Sequence, residues 1–463
     1  MNLNMLTFET YMSNINSSKP ISKKAFAFNQ IDNAVRFDVP VDAEHEFYTN
    51  FSDVRGEFED RVIYQSFNVN LSNFSFDAEL NKDNKILLFL AGMRGSGKTS
   101  ELAKIAGKLH QPSCFFCVTC DIDKGLDLND IEYMDILIFQ IERLFEELKA
   151  HNIHLTEEII GKMQNWFTER VSEVNHIIKR EGGLEMSIES STPNFLSFLK
   201  LAGKVKATLM GSKENANIIR TVFKNNFSDF ARQINTFFEY VNTTLRLDNR
   251  GQELLFIIDG IEKTSTPELR RKVIFDELNR ISTIRANTIF TLPIELLPES
   301  QILKQTCEVV SFPFVKIIEK NGNIREEAIL RFIDFTYKRI DKSLFDSEAT
   351  VRKAIRFGGG SPREYLRILK YARIYARKEI IDEASVDLAI QKLAAETSHY
   401  LTEEDLQLLK TLKAANEKGQ PTPYGKEWHR LLENLTIFEY NDGTYKRVNP
   451  IVEASQLYKH YVG

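Results

Sequence analysis

The eight residues Gly92-Met93-Arg94-Gly95-Ser96-Gly97-Lys98-Thr99 constrain this chain more than any other feature, because G-x-x-x-x-G-K-T has its physical use only between a strand and a helix. Both flanks are present. Ile86 to Leu90 reads as a short apolar strand, and from about Thr99 to Leu109 the residues Leu102, Ile105, Ala106 and Leu109 share one helical face. Gly95 and Gly97 give the turn its backbone freedom, so that consecutive N–H groups can wrap phosphate oxygens at the start of a helix whose dipole favours negative charge. In such a loop Lys98 is expected on the β- and γ-phosphates and the Thr99 hydroxyl on Mg²⁺. Gly92, Arg94, Ser96 and Ser100 complete the expected contacts, and the expected ligands are ATP and Mg²⁺.

Further strands follow in order. Cys114 to Cys120 is an apolar run ending in the acidic segment Asp121 to Asp130. A helical pattern then continues for over a hundred residues, with Leu137, Ile141, Leu144 and Leu148 keeping the spacing. Leu254 to Ile258 ends at Asp259, and Thr266 with Pro267 marks a helix start. Thr288 to Thr291 and Val309 to Phe312 complete the series. Strands alternating with helices predict an α/β fold whose parallel sheet is covered on both faces. Its ligand belongs at the carboxyl ends of the strands, where the Gly-rich turn, Asp259 and Thr291 fall.

That placement assigns chemistry. Asp259 is expected beside the phosphate loop, holding magnesium through water, so the metal set is Thr99 and Asp259; an ordinary strand-end cap is the alternative. Glu262 is the candidate base for the attacking water, since Glu253 lies at the other end of its strand, roughly 20 Å away at about 3.3 Å per residue. Thr291 is a candidate sensor of the γ-phosphate or of that water, or else simply a β-favouring residue.

Beyond Pro313 the pattern is wholly helical, in stretches at about 324–340, 362–378 and 384–395. Within it Ser361 and Glu364 read as a capping box with Pro362 at the first helical position, aiming Arg363 from the first turn. An arginine so held can bridge a helical lid to the γ-phosphate. Helices near 403–415 and 426–435 precede Phe438 to Val448, where Asn441-Asp442-Gly443 signals a hairpin, and together they suggest a winged helix. The expected domains are thus an N-terminal wrapping segment (1–84), the phosphate-loop core (85–315) with a helical insert (about 128–252), the lid (316–396) and the winged-helix-like unit (397–463). The tract from Phe47-Tyr48 to Arg61 is expected to pass near the adenine, and the insert reads as a protein-interaction arm.

Taken together, the phosphate loop, Leu254-Leu-Phe-Ile-Ile-Asp259-Gly-Ile-Glu262, Thr288-Ile-Phe-Thr291-Leu-Pro and Gly360-Ser-Pro-Arg363 resemble the AAA+ ATPases, nearest their origin-recognition and STAND branches, over about Lys85 to Gly463. The phrases Arg94-Gly-Ser-Gly-Lys-Thr-Ser-Glu-Leu102 and Phe290-Thr-Leu-Pro-Ile294 further resemble bacterial ATPases associated with phage defence. The resemblance implies an ATP-driven switch that self-assembles and controls a partner effector protein. Two positions depart from it. Gly260 stands where the family often has an acid, which implies slow hydrolysis, and the stretch Glu299 to Glu308, with only Lys304, offers no arginine finger; Arg280 and Arg285 are the nearest substitutes.

Charge decides between partners. A formal charge of −5 lacks the general basic excess of a non-specific nucleic-acid binder. The last segment, Glu396 to Gly463, holds 8 basic and 10 acidic residues, which suits protein contact. Arg352, Lys353, Arg356, Arg367, Lys370, Arg373, Arg377 and Lys378 nevertheless enrich the lid in positive charge, so a DNA-loading or DNA-remodelling ATPase is the alternative. Met1 to Ser18 has no leader pattern and no apolar run approaches the roughly 20 residues of a membrane span, so a cytoplasmic location without membrane contact is expected. Cys114, Cys117 and Cys120 read as core residues of a strand, with Cys117 pointing away from the other two.

Overall fold

Strands that are apolar on both faces must be covered on both faces, and that requirement organises the molecule. The computed structural model describes residues 23–55, 58–180, 186, 194–303, 307–422, 425–440 and 445–463. β1 (Leu87–Gly92), β2 (Phe115–Asp121), β3 (Glu253–Asp259), β4 (Asn287–Pro293) and β5 (Glu308–Ser311) form a parallel sheet in the order β2-β3-β4-β1-β5. The fold class is α/β, with β1 running through the glycine-rich loop into helix α1 (Lys98–Leu109). Register places Asp121 beside Asp259 and Leu90 beside Thr291, so the acids and the loop share the carboxyl edge.

The two-residue period of the strands splits the core. Leu88, Leu90, Leu255, Ile257 and Ile289 face α1, together with Phe58, Ile63, Phe67 and Phe76 from the chain before β1. Phe89, Phe116, Val118, Phe256 and Phe290 face the opposite side, under the helices between β2 and β3. These are α2 (Tyr133–Ala150), α3 (Glu157–Arg180), α4 (Phe195–Leu209), α5 (Lys213–Asn225) and α6 (Phe227–Leu247). The insert is therefore no projecting arm. Phe238 of α6 lies 5.2 Å from Phe256 of β3, ring to ring, and one continuous apolar core joins insert and sheet.

The cysteines depart from the expected alternation. Cys114 falls one residue before β2, where its thiol donates to the Phe74 carbonyl, and it packs on the same side as Cys117; Cys120 alone occupies the opposite face. All four cysteines are free.

After β5 the chain forms α7 (Glu326–Arg339), α8 (Glu348–Gly358), α9 (Pro362–Tyr375) and α10 (Glu383–Ser398), four long helices where the spacing predicts three stretches. α8 is marked by Ser347, whose hydroxyl accepts from Thr350 N, and by Gly359 at its end with φ +60°. Val35, Phe47, Phe51 and Val54 pack into this helical layer. The earliest described residues thus lie on this helical layer, and the next ones on the sheet.

α11 (Glu403–Glu417), a short helix at His429–Glu433 and the antiparallel pair β6 (Ile437–Tyr440) and β7 (Tyr445–Val448) make the last layer. Asn441-Asp442-Gly443 lies outside the described residues. The layer is pinned at both neighbours: the Tyr440 hydroxyl donates to the Gly359 carbonyl (2.6 Å), and Arg270 bridges Glu295 and Glu433 (2.5 and 2.9 Å). Among the described residues no helix is long and apolar enough to cross a membrane.

Candidate nucleotide-binding site

The loop between β1 and α1 has the backbone its glycines permit, with φ +83° at Gly95 and +96° at Gly97. It is also tightly lined. A Cβ on Gly95 would sit 2.8 Å from the Arg363 Cβ, and one on Gly97 would sit 3.2 Å from Arg55 Nη2. Two arginines from opposite ends of the chain therefore lie against the same loop.

Within the loop, Lys98 is 4% exposed and its ammonium donates to the Gly92 and Met93 carbonyls (2.7 and 3.0 Å). The Thr99 hydroxyl donates to Asp259 Oδ2 at 2.6 Å, which brings the two expected metal-holding groups together. Asp259 Oδ1, Glu262 Oε2 and the Ser96 hydroxyl are buried without a hydrogen-bond partner. Orphaned oxygens of that kind are what a hydrated cation would satisfy, so the site fits Mg²⁺. Among the described residues no group of three or more His, Cys, Asp or Glu could hold a metal. The Ser100 hydroxyl accepts from Val41 N at 3.2 Å, tying α1 to the segment before the sheet, and Arg94 is exposed.

The turn after β3 accounts for Gly260. Its φ is +106°, a conformation that strains any side chain, and a Cβ there would meet Ile122 at 3.2 Å. The single 3₁₀ turn Ile261–Lys263 that follows swings Glu262 back until Oε1 is 3.8 Å from Lys98 Nζ. Thr291, fully buried on β4, accepts from Gly260 N at 3.1 Å. Burial, and then the Glu262 charge, push the Asp259 carboxyl upward against the Thr99 bond. Glu262 moves the other way: burial opposes ionisation, but the Lys98 charge, with Lys263 and Thr291, holds it below the usual glutamate range. One strand-end pair thus has its two carboxyls driven apart.

Arg363 sits at the second position of α9. Ser361 caps that helix by accepting from Glu364 N (3.3 Å), and Pro362 occupies the first position. The cap is only half a box, because the Glu364 carboxylate turns to Arg367 (2.8 Å) instead of reaching back. Gly360, at φ +86°, lets the Val315 backbone approach closely, since a Cβ there would lie 1.8 Å from the Val315 carbonyl oxygen. Burial, then the nearby Arg94 charge, lowers the Arg363 guanidinium, while Glu262 counts among the charges that favour it.

Arg55 escapes sequence reasoning, having no motif around it beyond the tract expected near the base. It is 3% exposed, donates to the Pro313 carbonyl (2.9 Å), stacks 4.1 Å from the Phe312 ring centroid and has no salt-bridge partner among the described residues. Burial pushes it down to about 10, with Glu101 and Tyr48 as partial counterweights. Its Nε, the Tyr48 hydroxyl and the Thr49 hydroxyl are all buried without partners. Arg280 and Arg285, by contrast, lie just before β4, at the opposite edge of the sheet from the loop.

No protein-family model matches the chain. Among curated proteins it is similar to the transcription antitermination protein NusB of several Clostridium botulinum strains, with 29% identity over 77 residues, or 17% of this chain. The chain spans about half, 54%, of the length of the curated relatives it matches. Among solved structures it is similar to the Walker-type ATPase of Pyrococcus abyssi, at a TM-score of 0.34 and 16% identity over 87% of this chain and 98% of that one. Two point variants of Thermotoga maritima RuvB superpose at a TM-score of 0.32, with 12% and 13% identity over 87% and 89% of this chain and 94% and 98% of theirs. At this level of similarity none of these likenesses assigns an activity.

Proposed function

We propose that this chain binds and slowly hydrolyses ATP with Mg²⁺, as an AAA+ switch of the origin-recognition and STAND kind, and that the bound nucleotide controls a partner effector protein. The observation that carries the reading is the convergence on one phosphate loop of Lys98, Thr99 with Asp259, Glu262 and, from other layers, Arg363 and Arg55. Mg²⁺ held by Thr99 and Asp259 would offset the phosphate charge. Lys98 exchanges its loop carbonyls for the β- and γ-phosphates. Glu262, kept ionised, takes a proton from the attacking water, and Thr291 positions it by fixing the turn. Tyr48 and Thr49 supply unpartnered hydroxyls to the base.

Arg363 and Arg55 give the switch its logic. Each lies against the loop with its charge poorly compensated, and each belongs to the layer formed by the lid and the earliest described residues. With the γ-phosphate present, both have a strong partner; after its loss the attraction between lid and sheet weakens. The C-terminal layer, read as winged-helix-like, is hydrogen-bonded to both and so follows the same change. A cytoplasmic location and self-association belong to the same proposal, and the link to phage defence rests on the two sequence phrases alone.

The DNA-remodelling alternative loses support at four of the eight lid cations, and among the described residues Arg356, Lys370, Arg377 and Lys378 make no salt bridge. Arg352 pairs with Glu326 and Glu348, Lys353 with Glu383 and Asp387, Arg367 with Glu364 and Glu396, and Arg373 with Asp32. Cations already matched to carboxylates release few counterions on meeting a phosphate backbone. Steady-state hydrolysis tests the enzyme claim. Lys98→Ala should abolish turnover and Glu262→Gln should lower it by about 10²–10⁴ while keeping ATP affinity; equal rates in all three proteins would end the reading. Tagged Glu262→Gln, purified from its host with and without nuclease, should retain a stoichiometric protein, whereas nuclease-sensitive material would favour DNA.

A further inference from the structure

The far edge of the sheet carries a second concavity. A cavity of about 250 Å³ opens at the amino-terminal ends of β1 and β4, walled by α2 and by the chain entering β4. Leu87 and Thr288 face each other in register on its floor, and Phe290, two residues further along β4, lies on the same face. Ile281 and Ile284 close one apolar side. At roughly 3.3 Å per residue the length of β1 separates this cavity from the phosphate loop, so nucleotide bound there does not reach it.

The polar lining is asymmetric. Lys82 and Arg285 are exposed and make no salt bridge among the described residues, while Lys85 is taken by Glu253 (2.5 Å) and Asp83 is the single acid in the wall. Gln140 lines the cavity from α2 at 2% exposure, and its Oε1 has no hydrogen-bond partner. A buried amide oxygen without a donor is costly, and nothing in the nucleotide site uses it. An apolar floor, one unsatisfied acceptor and two uncommitted cations together define a ligand.

We propose that this cavity binds a small organic acid: a carboxylate or phosphate on a short apolar or aromatic body that also carries a hydrogen-bond donor. The acid group meets Lys82 and Arg285 at the mouth, the body lies over Leu87 and Phe290, and the donor reaches Gln140. The volume falls just below the roughly 300–1,000 Å³ of drug-sized sites, which sets the ligand at metabolite size.

Calorimetric and ligand-observed NMR titration of the full chain with 4-hydroxybenzoate tests this, with 4-hydroxybenzyl alcohol, benzoate and inorganic phosphate as controls. The expected result is saturable 4-hydroxybenzoate binding at a dissociation constant of about 1 mM or tighter, weakened at least about tenfold in Lys82→Ala/Arg285→Ala and in the uncharged alcohol. Both substituted side chains are exposed, so that variant should fold and keep its ATP affinity. Gln140→Leu should weaken 4-hydroxybenzoate more than benzoate. No saturation by about 10 mM, binding indifferent to the double variant, displacement by ATP, or equal binding of phosphate alone would each overturn the proposal.

Discussion

Burying a guanidinium without a carboxylate costs stability, and Arg55 is held in that condition by an aromatic face, one carbonyl and the nearby loop. A residue kept for folding alone would be replaceable at a gain. Arg55→Met should accordingly leave the apo protein as stable as wild type or more so, while weakening ATP binding at least about tenfold. Thermal unfolding with and without ATP measures both. A variant that loses apo stability but keeps its ATP affinity would make Arg55 a packing residue. The same comparison separates Arg55 from Lys98, whose ammonium is satisfied by two loop carbonyls before any ligand arrives.

Helix α2 shows what burial does along an element. Glu147 lies on its sheet-facing side with a 3% exposed side chain, and burial pushes it up to about 7 from 4.5, against the Arg143 charge and with that of Glu146. The folded chain therefore holds this proton more tightly than the unfolded one. Its contribution to stability is complete below pH 4.5 and is lost as pH rises through about 7. Glu147→Gln removes the ionisation, so its stability relative to wild type should climb between those values by up to about 3 kcal/mol. Denaturant midpoints from pH 4.5 to 8 read the difference, and parallel curves would mean that Glu147 stays ionised. The helices also mark how far periodicity reaches. α1 and α9 are announced by their caps and stripes, whereas α8 is missed although Ser347 caps it, Gly359 ends it and Val351, Ala354 and Ile355 share its buried face.

At the scale of the molecule, the insert is the element whose meaning changes most. From position and size 128–252 reads as an arm, but α2 and α6 supply one face of the sheet's core. Excising those residues would expose Phe116, Val118 and Phe256 to water, at roughly 1.5–3 kcal/mol for each large side chain. The shortened chain is expected in the insoluble fraction with no ATP binding. A soluble, nucleotide-binding product would restore the arm. The same continuity joins the outer layers: Met93 of the phosphate loop packs with Phe314, Phe438 and Trp428, so the C-terminal layer touches the loop itself.

The sequence by itself determined the parallel α/β sheet, the phosphate loop and the identity of Lys98, Thr99, Asp259 and Glu262 as candidates. Those signals are local, because glycines at fixed offsets and a strand followed by an acid act within a few residues of themselves. Only the tertiary structure decided that Gly260 must be glycine, that its turn returns Glu262 to Lys98, and that Arg55 and Arg363 meet across one loop. Long-range packing and charge left unpaired by burial come from chain segments far apart in the sequence, and no periodicity encodes their meeting.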